Sequence, residues 1–181
     1  MTLPNVLTGV RILLMPVFII FLVQNELTSA LIVFVFAGIT DGLDGFFARR
    51  YGQMSSLGAY LDPIADKLLL TSAYLILTIK ELVPPWLCVL VIIRDLLIIL
   101  GVAIIFLLQK KSNRIGPSKL SKINTCLQII CVVLVLGKSI YNLEYVYYQF
   151  FFWLTAFFTV SSGVHYLFQW LNYLGSIGED Q

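Results

Sequence analysis

Long apolar runs separated by short polar links dominate the chain. Runs of roughly 20 apolar residues, enough to cross a bilayer as a helix, fall at 5–24, 28–49, 57–79, 85–109, 119–139 and 146–173. They predict an all-α, polytopic membrane protein with six transmembrane helices. The links are Asn25 and Glu26, Arg50 to Ser56, Lys80 to Pro84, Lys110 to Ser118 and Ile140 to Tyr145, with a polar tail of Gly178-Glu179-Asp180-Gln181. None has room for a soluble catalytic domain, so one membrane domain over 1–181 is expected. The first run follows only Met1 to Pro4, has no basic leader and is longer than the apolar core of a signal peptide, which reads as a retained helix. No repeat or low-complexity segment is visible.

Composition supports the pattern. The 181 residues are 59% hydrophobic and 12% charged, and the mean hydropathy is +0.91, outside the usual balance of a soluble domain. The three cysteines, Cys88, Cys126 and Cys131, lie in apolar runs without disulfide or metal-ligand spacing and read as packing residues. The net charge of +2 matters less than where the charges fall. Arg49, Arg50, Lys110, Lys111, Arg114, Lys119 and Lys122 lie in or beside the second and fourth links, against Lys80 and Lys138 in the odd ones. The positive-inside rule then puts both termini and the even links in the cytoplasm. Nucleic acid is not an expected partner.

Against this apolar background, Asp41, Asp44, Asp62 and Asp66 stand out, because a carboxylate in a bilayer is costly and marks a functional site by default. Under the expected topology all four lie near the cytoplasmic ends of the second and third helices, with Arg11, Lys119 and Lys122 at similar depth. Asp41, Asp44, Gly45 and Ala48 are spaced i, i+3, i+4 and i+7, one helical stripe; Gly58, Asp62 and Asp66 form another at i, i+4 and i+8. Four clustered carboxylates stay ionised only with compensating cations. Oxygen ligands without His or Cys suit hard ions such as Mg²⁺ or Mn²⁺. Two such ions among basic side chains suit transfer of a phosphoryl-type group. Two other readings of the same carboxylates stay open: a structural charge network with Arg11, Lys67 and Arg94, and a path for cations or protons.

The run from Asp41 through Arg49 and the run from Gly58 through Asp66 fit D-x2-D-G-x2-A-R-x8-G-x3-D-x3-D at all eight specified positions over 26 residues. This resembles the CDP-alcohol phosphotransferases. Pro4, Asn5, Thr8 and Arg11 look like that family's N-terminal helix, and six spans are its usual architecture; the last helix adds little to the resemblance. What it implies is a metal set of Asp41, Asp44, Asp62 and Asp66, two Mg²⁺ or Mn²⁺ ions, and Asp66 as the general base on the acceptor hydroxyl. Gly45, Ala48, Arg49 and Gly58 would border the cytidine diphosphate. The resemblance also implies CDP-diacylglycerol as donor, an alcohol acceptor, a homodimer, and a cytoplasm-facing site in the cell inner membrane.

The acceptor is less tightly specified. Ile93-Arg94-Asp95, Ser118-Lys119, the run Ser121-Lys122-Ile123-Asn124-Thr125 and Gln128 look like the regions that hold the acceptor in branches making anionic glycerophospholipids. Arg94, Lys119 and Lys122 would then bind phosphate. Phosphatidylglycerophosphate synthases usually carry Gly-Lys-x-Lys-Thr here. The Ser-Lys-x-Asn-Thr form, with Arg94-Asp95, is similar instead to cardiolipin synthases of the eukaryotic type. Both glycerol 3-phosphate and phosphatidylglycerol are therefore expected acceptors, with inositol phosphate or serine as alternatives. A small cation transporter or channel subunit is the alternative of another class.

Blander readings accompany several residues. Arg94 beside Asp95 also fits a buried ion pair, and Lys110, Lys111 and Arg114 a membrane-surface patch. His165 reads as a satisfied or water-facing residue. Tyr145, Tyr147, Tyr148, Phe150 to Phe152, Trp153 and Trp86 read as an interfacial belt or lipid-facing surface.

Overall fold

A computed structural model describes the backbone of residues 3–51, 56–107, 119–141 and 143–179; the side chains of 3–8, 11, 12, 41, 43–66, 102–119 and 172–179 are outside the description. Every described element is helical: α1 Leu3–Val23, α2 Leu27–Tyr51, α3 Ser56–Ile79, α4 Pro85–Leu107, α5 Lys119–Leu136, α6 Lys138–Tyr141 and α7 Tyr145–Glu179. The six long helices coincide with the six apolar runs to within a few residues, except at two places. α5 ends at Leu136 rather than 139, because the chain turns at Gly137 and restarts as the one-turn α6. A Cβ on Gly137 would lie 2.7 Å from Tyr141 Cδ2 and 3.1 Å from the Val133 carbonyl oxygen. α7 runs on to Glu179, giving 35 residues and a length of about 52 Å.

Among the described residues, one segment, Tyr145–Leu171, is long and apolar enough to cross a membrane by length and composition, and Leu13–Val23, Leu27–Thr40, Lys67–Ile79 and Leu120–Leu136 are shorter apolar stretches. The surface is apolar as well. Leu13, Ile32, Phe36, Ile39, Phe157 and Phe168 are all more than half exposed, an arrangement suited to hydrocarbon rather than water.

Two compact units form, Met1–Val83 with Val132–Tyr148, and Pro84–Cys131 with Gln149–Gln181. In the first, α1 packs on both α2 and α3. Ala30, Phe34 and Ala37 repeat at i, i+4 and i+7 on α2, and Leu70, Ala73, Tyr74 and Leu77 make the matching stripe on α3; all are buried. Alanines on these rows let helix backbones approach closely, which is how helices associate where lipid gives no hydrophobic drive. The rings of Phe18 and Phe34 meet with centroids 5.5 Å apart.

Two described reversals in this unit, after α1 and after α3, are Schellman closures. After α1, Glu26 N donates to Phe21 O and Asn25 N to Leu22 O; after α3, Leu82 N donates to Leu77 O and Glu81 N to Thr78 O. The closures put Asn25 at φ 65° and Glu81 at φ 59°. Lys80 Nζ joins the two ends, donating to Asn25 Oδ1 at 2.5 Å and to the Val23 carbonyl at 3.3 Å.

In the second unit, Leu87, Cys88 and Val91 bury the first turns of α4. Pro85 is its first residue, where a missing N–H costs nothing. Trp86 stacks on Trp153 with centroids 4.9 Å apart, so these two expected belt residues pair. Two other members of that belt are corrected: Tyr148, in the first unit, and Phe152 are 6% and 3% exposed, because they lie on the buried stripe of α7 that also holds Thr155, Ala156 and Thr159. Cys126 is likewise exposed rather than packed, whereas Cys88 and Cys131 are buried, and all three are free thiols. His165 is satisfied, its Nε2 lying 3.1 Å from Gln169 Nε2.

Candidate active site

The acidic motif lies on the unit containing α1, α2 and α3. Asp41, Asp44, Gly45, Ala48 and Arg49 are on the C-terminal half of α2, and Gly58, Asp62 and Asp66 on the first turns of α3. Helical backbone at both places keeps the i, i+3 and i, i+4 spacing that makes each set one stripe. The side chains themselves, and with them any ligand geometry, are outside the described residues. Immediately before Asp41, the buried Thr40 hydroxyl donates to the Ala37 carbonyl at 2.7 Å. Gly42 is exposed, and a Cβ there would meet nothing within 4 Å. Lys67, next to Asp66, is half-buried.

A second polar centre lies on α4, α5 and α7. Arg94 and Asp95 are 2% and 5% exposed, and Arg94 Nη1 donates to Asp95 Oδ1 at 2.6 Å. Nη2 of the same guanidinium donates to Ser121 Oγ and, at 3.2 Å, to Ser162 Oγ. One turn further along α5, Asn124 is fully buried and its Oδ1 accepts from Thr159 Oγ1 at 2.8 Å. Thr159 Oγ1 also lies 2.7 Å from the Thr155 carbonyl, so its single proton serves two acceptors. One turn away from Asn124 and Thr159 along their own helices, Gln128 on α5 and Thr155 on α7 are both 0% exposed. Polar side chains thus take buried places here beside an otherwise apolar core, while many leucines, isoleucines and phenylalanines are exposed, as suits a membrane protein with a functional interior.

Of the expected acceptor residues, Arg94 is joined to Ser121, the first residue of the Ser121-Lys122-Ile123-Asn124-Thr125 run. Lys122 is exposed on α5, off the buried row, and the Lys119 side chain, like the link 110–118, is outside the described residues. Sequence reading gave no role to Thr155, Thr159 and Ser162. The signal was present: they repeat at i, i+4 and i+7 on an otherwise apolar helix, and Ser121, Asn124 and Gln128 repeat at i, i+3 and i+7 on α5, the two halves of one helix–helix seam.

With the acidic stripes and the buried polar seam in place, comparison with known proteins is decisive about kinship. The sequence model of the CDP-alcohol phosphatidyltransferases matches residues 1–161, and this chain belongs to that family, a family of membrane proteins. Its similar proteins include two kinds. It is 37% identical over 181 residues to human cardiolipin synthase (CMP-forming), an alignment covering 91% of this chain and 60% of that protein. It is 36% identical over 170 residues to the CDP-diacylglycerol–glycerol-3-phosphate 3-phosphatidyltransferase of Rickettsia felis, covering 91% and 92%. The Bacillus subtilis protein of that name is 33% identical over 185 residues, covering 91% and 92%. The chain spans about three-fifths of the length of the cardiolipin synthases and nearly all of the bacterial proteins.

Proposed function

We propose that this protein transfers a phosphatidyl group from CDP-diacylglycerol to a glycerol-type acceptor, glycerol 3-phosphate or phosphatidylglycerol, with release of CMP. The observation that carries the reading is the complete eight-residue acidic motif on α2 and α3, in a chain whose relatives are named for these two reactions.

Four carboxylates and no His or Cys form a donor set that fits hard divalent ions. Asp41, Asp44, Asp62 and Asp66 would hold two Mg²⁺ or Mn²⁺ ions, which when bound neutralise charge on the attacking and leaving oxygens. Gly45, Ala48, Arg49 and Gly58 border the cytidine diphosphate, where the absence of bulk lets the nucleotide lie against backbone and Arg49 adds a phosphate partner. Asp66 takes the proton from the acceptor hydroxyl; that oxygen bonds to the β-phosphorus as the bond to the CMP oxygen breaks, and CMP leaves. Arg94, Lys119 and Lys122 hold the phosphate of the acceptor.

The whole chain acts as one six-span membrane domain in the cell inner membrane, as a homodimer, with both termini and the site toward the cytoplasm. The even links carry most of the basic residues, and this supports the orientation. Asp66→Asn and Asp41→Asn test the assignment in detergent-purified protein. Asp66→Asn should abolish CMP release while CDP-diacylglycerol still binds, and Asp41→Asn should weaken binding of metal and nucleotide. Near-normal turnover by Asp66→Asn would remove it from the role of base.

A further inference from the structure

The buried seam between α5 and α7 goes beyond that reading. Arg94 is held from three directions: Nη1 by Asp95 on its own helix, and Nη2 by the hydroxyls of Ser121 on α5 and Ser162 on α7. The α7 backbone runs alongside its stem, since a Cβ on Gly163 would touch Arg94 Cγ at 3.9 Å. A long, flexible side chain is thereby confined to one geometry. Its Nε has no hydrogen-bond partner among the described residues although the residue is 2% exposed. A buried charged donor left unpaired is expensive, and an oxyanion would satisfy it.

One turn along the same seam the pattern recurs: Thr159 fixes the Asn124 amide through Oδ1, and Asn124 Nδ2 also lacks a hydrogen-bond partner among the described residues. Two fully enclosed donors, each anchored by a hydroxyl of α7 and each with an N–H to spare, are more than helix packing requires. Glue between helices would pair its groups off.

We infer that α7 is the positioning side of the acceptor site: Ser162, with Ser121, orients Arg94 toward the acceptor's phosphate, and Thr159 orients Asn124 as a neutral donor on the same seam. This inference rests on the phosphatidyltransferase reading and on Arg94 as a phosphate binder. Ser162 and Thr159 act through Arg94 and Asn124 and touch no reacting atom. Either a phosphomonoester, as in glycerol 3-phosphate, or a phosphodiester, as in phosphatidylglycerol, offers the oxyanion.

The test is steady-state kinetics of the detergent-purified full chain with CDP-diacylglycerol, each of those two acceptors supplied separately, in the wild type, Arg94→Lys, Ser162→Ala and Thr159→Val. Ser162→Ala should raise KM for the acceptor about tenfold, the loss of one hydrogen bond to a charged group, with kcat and KM for CDP-diacylglycerol unchanged. Thr159→Val should act in the same direction more weakly, and Ser162→Thr should restore the wild-type values. If Ser162→Ala does not accumulate, Ser162→Cys, nearly the same size with a weaker acceptor atom, carries the same expectation. A change in Arg94→Lys without one in the Ser162 variants overturns the positioning role alone. Equal rises in KM for donor and acceptor would make the seam structural and also overturn it. No CMP release by the wild type with either acceptor would sink the phosphatidyltransferase reading and this inference with it.

Discussion

Asn124 and Thr159, thirty-five positions apart in sequence, meet at 2.8 Å in the interior, both essentially inaccessible at 0% and 1% exposure. Replacing Thr159 with Val keeps the shape but leaves the Asn124 carbonyl without its donor. Interhelical hydrogen bonds in membrane proteins contribute about 0.6 kcal/mol on average and up to about 1.7. Thr159→Val should therefore lower stability by about 1 kcal/mol, and Thr159→Ser, which keeps the hydroxyl, by less. Thermal unfolding in detergent would show it; equal losses for the two variants would mean that the hydrogen bond contributes no more than the Thr159 methyl group, and no loss in Thr159→Val would mean that it contributes nothing.

Lys80 gives a second handle. Its ammonium caps the C-terminal end of α1 through the Val23 carbonyl and Asn25, where a cation also meets the negative end of the helix dipole. That contact gives a local reason for a basic residue in a link that the positive-inside count would leave neutral. Lys80→Met retains the stem and removes the charge. Its expected cost is about 0.5–1 kcal/mol, shrinking as salt is added, and a salt-independent loss would count against the capping role.

Glu81 closes α3 in a left-handed conformation at φ 59°, which costs an L-residue about 1–2 kcal/mol. Glycine adopts it freely but loses more chain entropy on folding, about 0.5–1 kcal/mol. Glu81→Gly should accordingly raise stability by roughly 0.5 kcal/mol, and Glu81→Val should lower it, since a β-branched side chain fits that region worst. Unfolding midpoints that moved in the opposite order would show that the Schellman closure is not maintained.

Helix positions were legible because apolar runs of membrane length and links rich in Lys, Asn and Pro leave few alternatives; Asn25-Glu26 and Pro84-Pro85 mark ends that the structure shares. The acidic stripes stood out because charge is costly in an apolar background and the carboxylates keep helical spacing; α2 and α3 carry them on helical backbone, while the side chains lie outside the described residues. Gly137 was not, since a single glycine inside an apolar run is tolerated in many helices and only the ring of Tyr141 against it reveals the turn. The α7 face was missed for a similar reason. Thr155, Thr159 and Ser162 are small and uncharged, so they disturb the hydropathy of the helix little, and their partners on α4 and α5 are distant in sequence. Tyr148 and Phe152 were assigned outward by residue type, whereas their position on that same face decided their burial.

Chelation probes the acidic stripes of α2 and α3. Removing divalent cations with EDTA should abolish turnover, and adding back Mg²⁺ or Mn²⁺ should restore it. Ca²⁺, larger and satisfied by more flexible coordination, should restore it less well. Activity that survives complete chelation would detach the four aspartates from metal binding.

The most direct test supplies purified protein with CDP-diacylglycerol, Mg²⁺ and either glycerol 3-phosphate or phosphatidylglycerol, and quantifies CMP together with the lipid formed. Phosphatidyl transfer predicts CMP and one new anionic phospholipid in equal amounts, dependent on the acceptor. CMP released at the same rate without any acceptor, or no CMP under any condition, would contradict it.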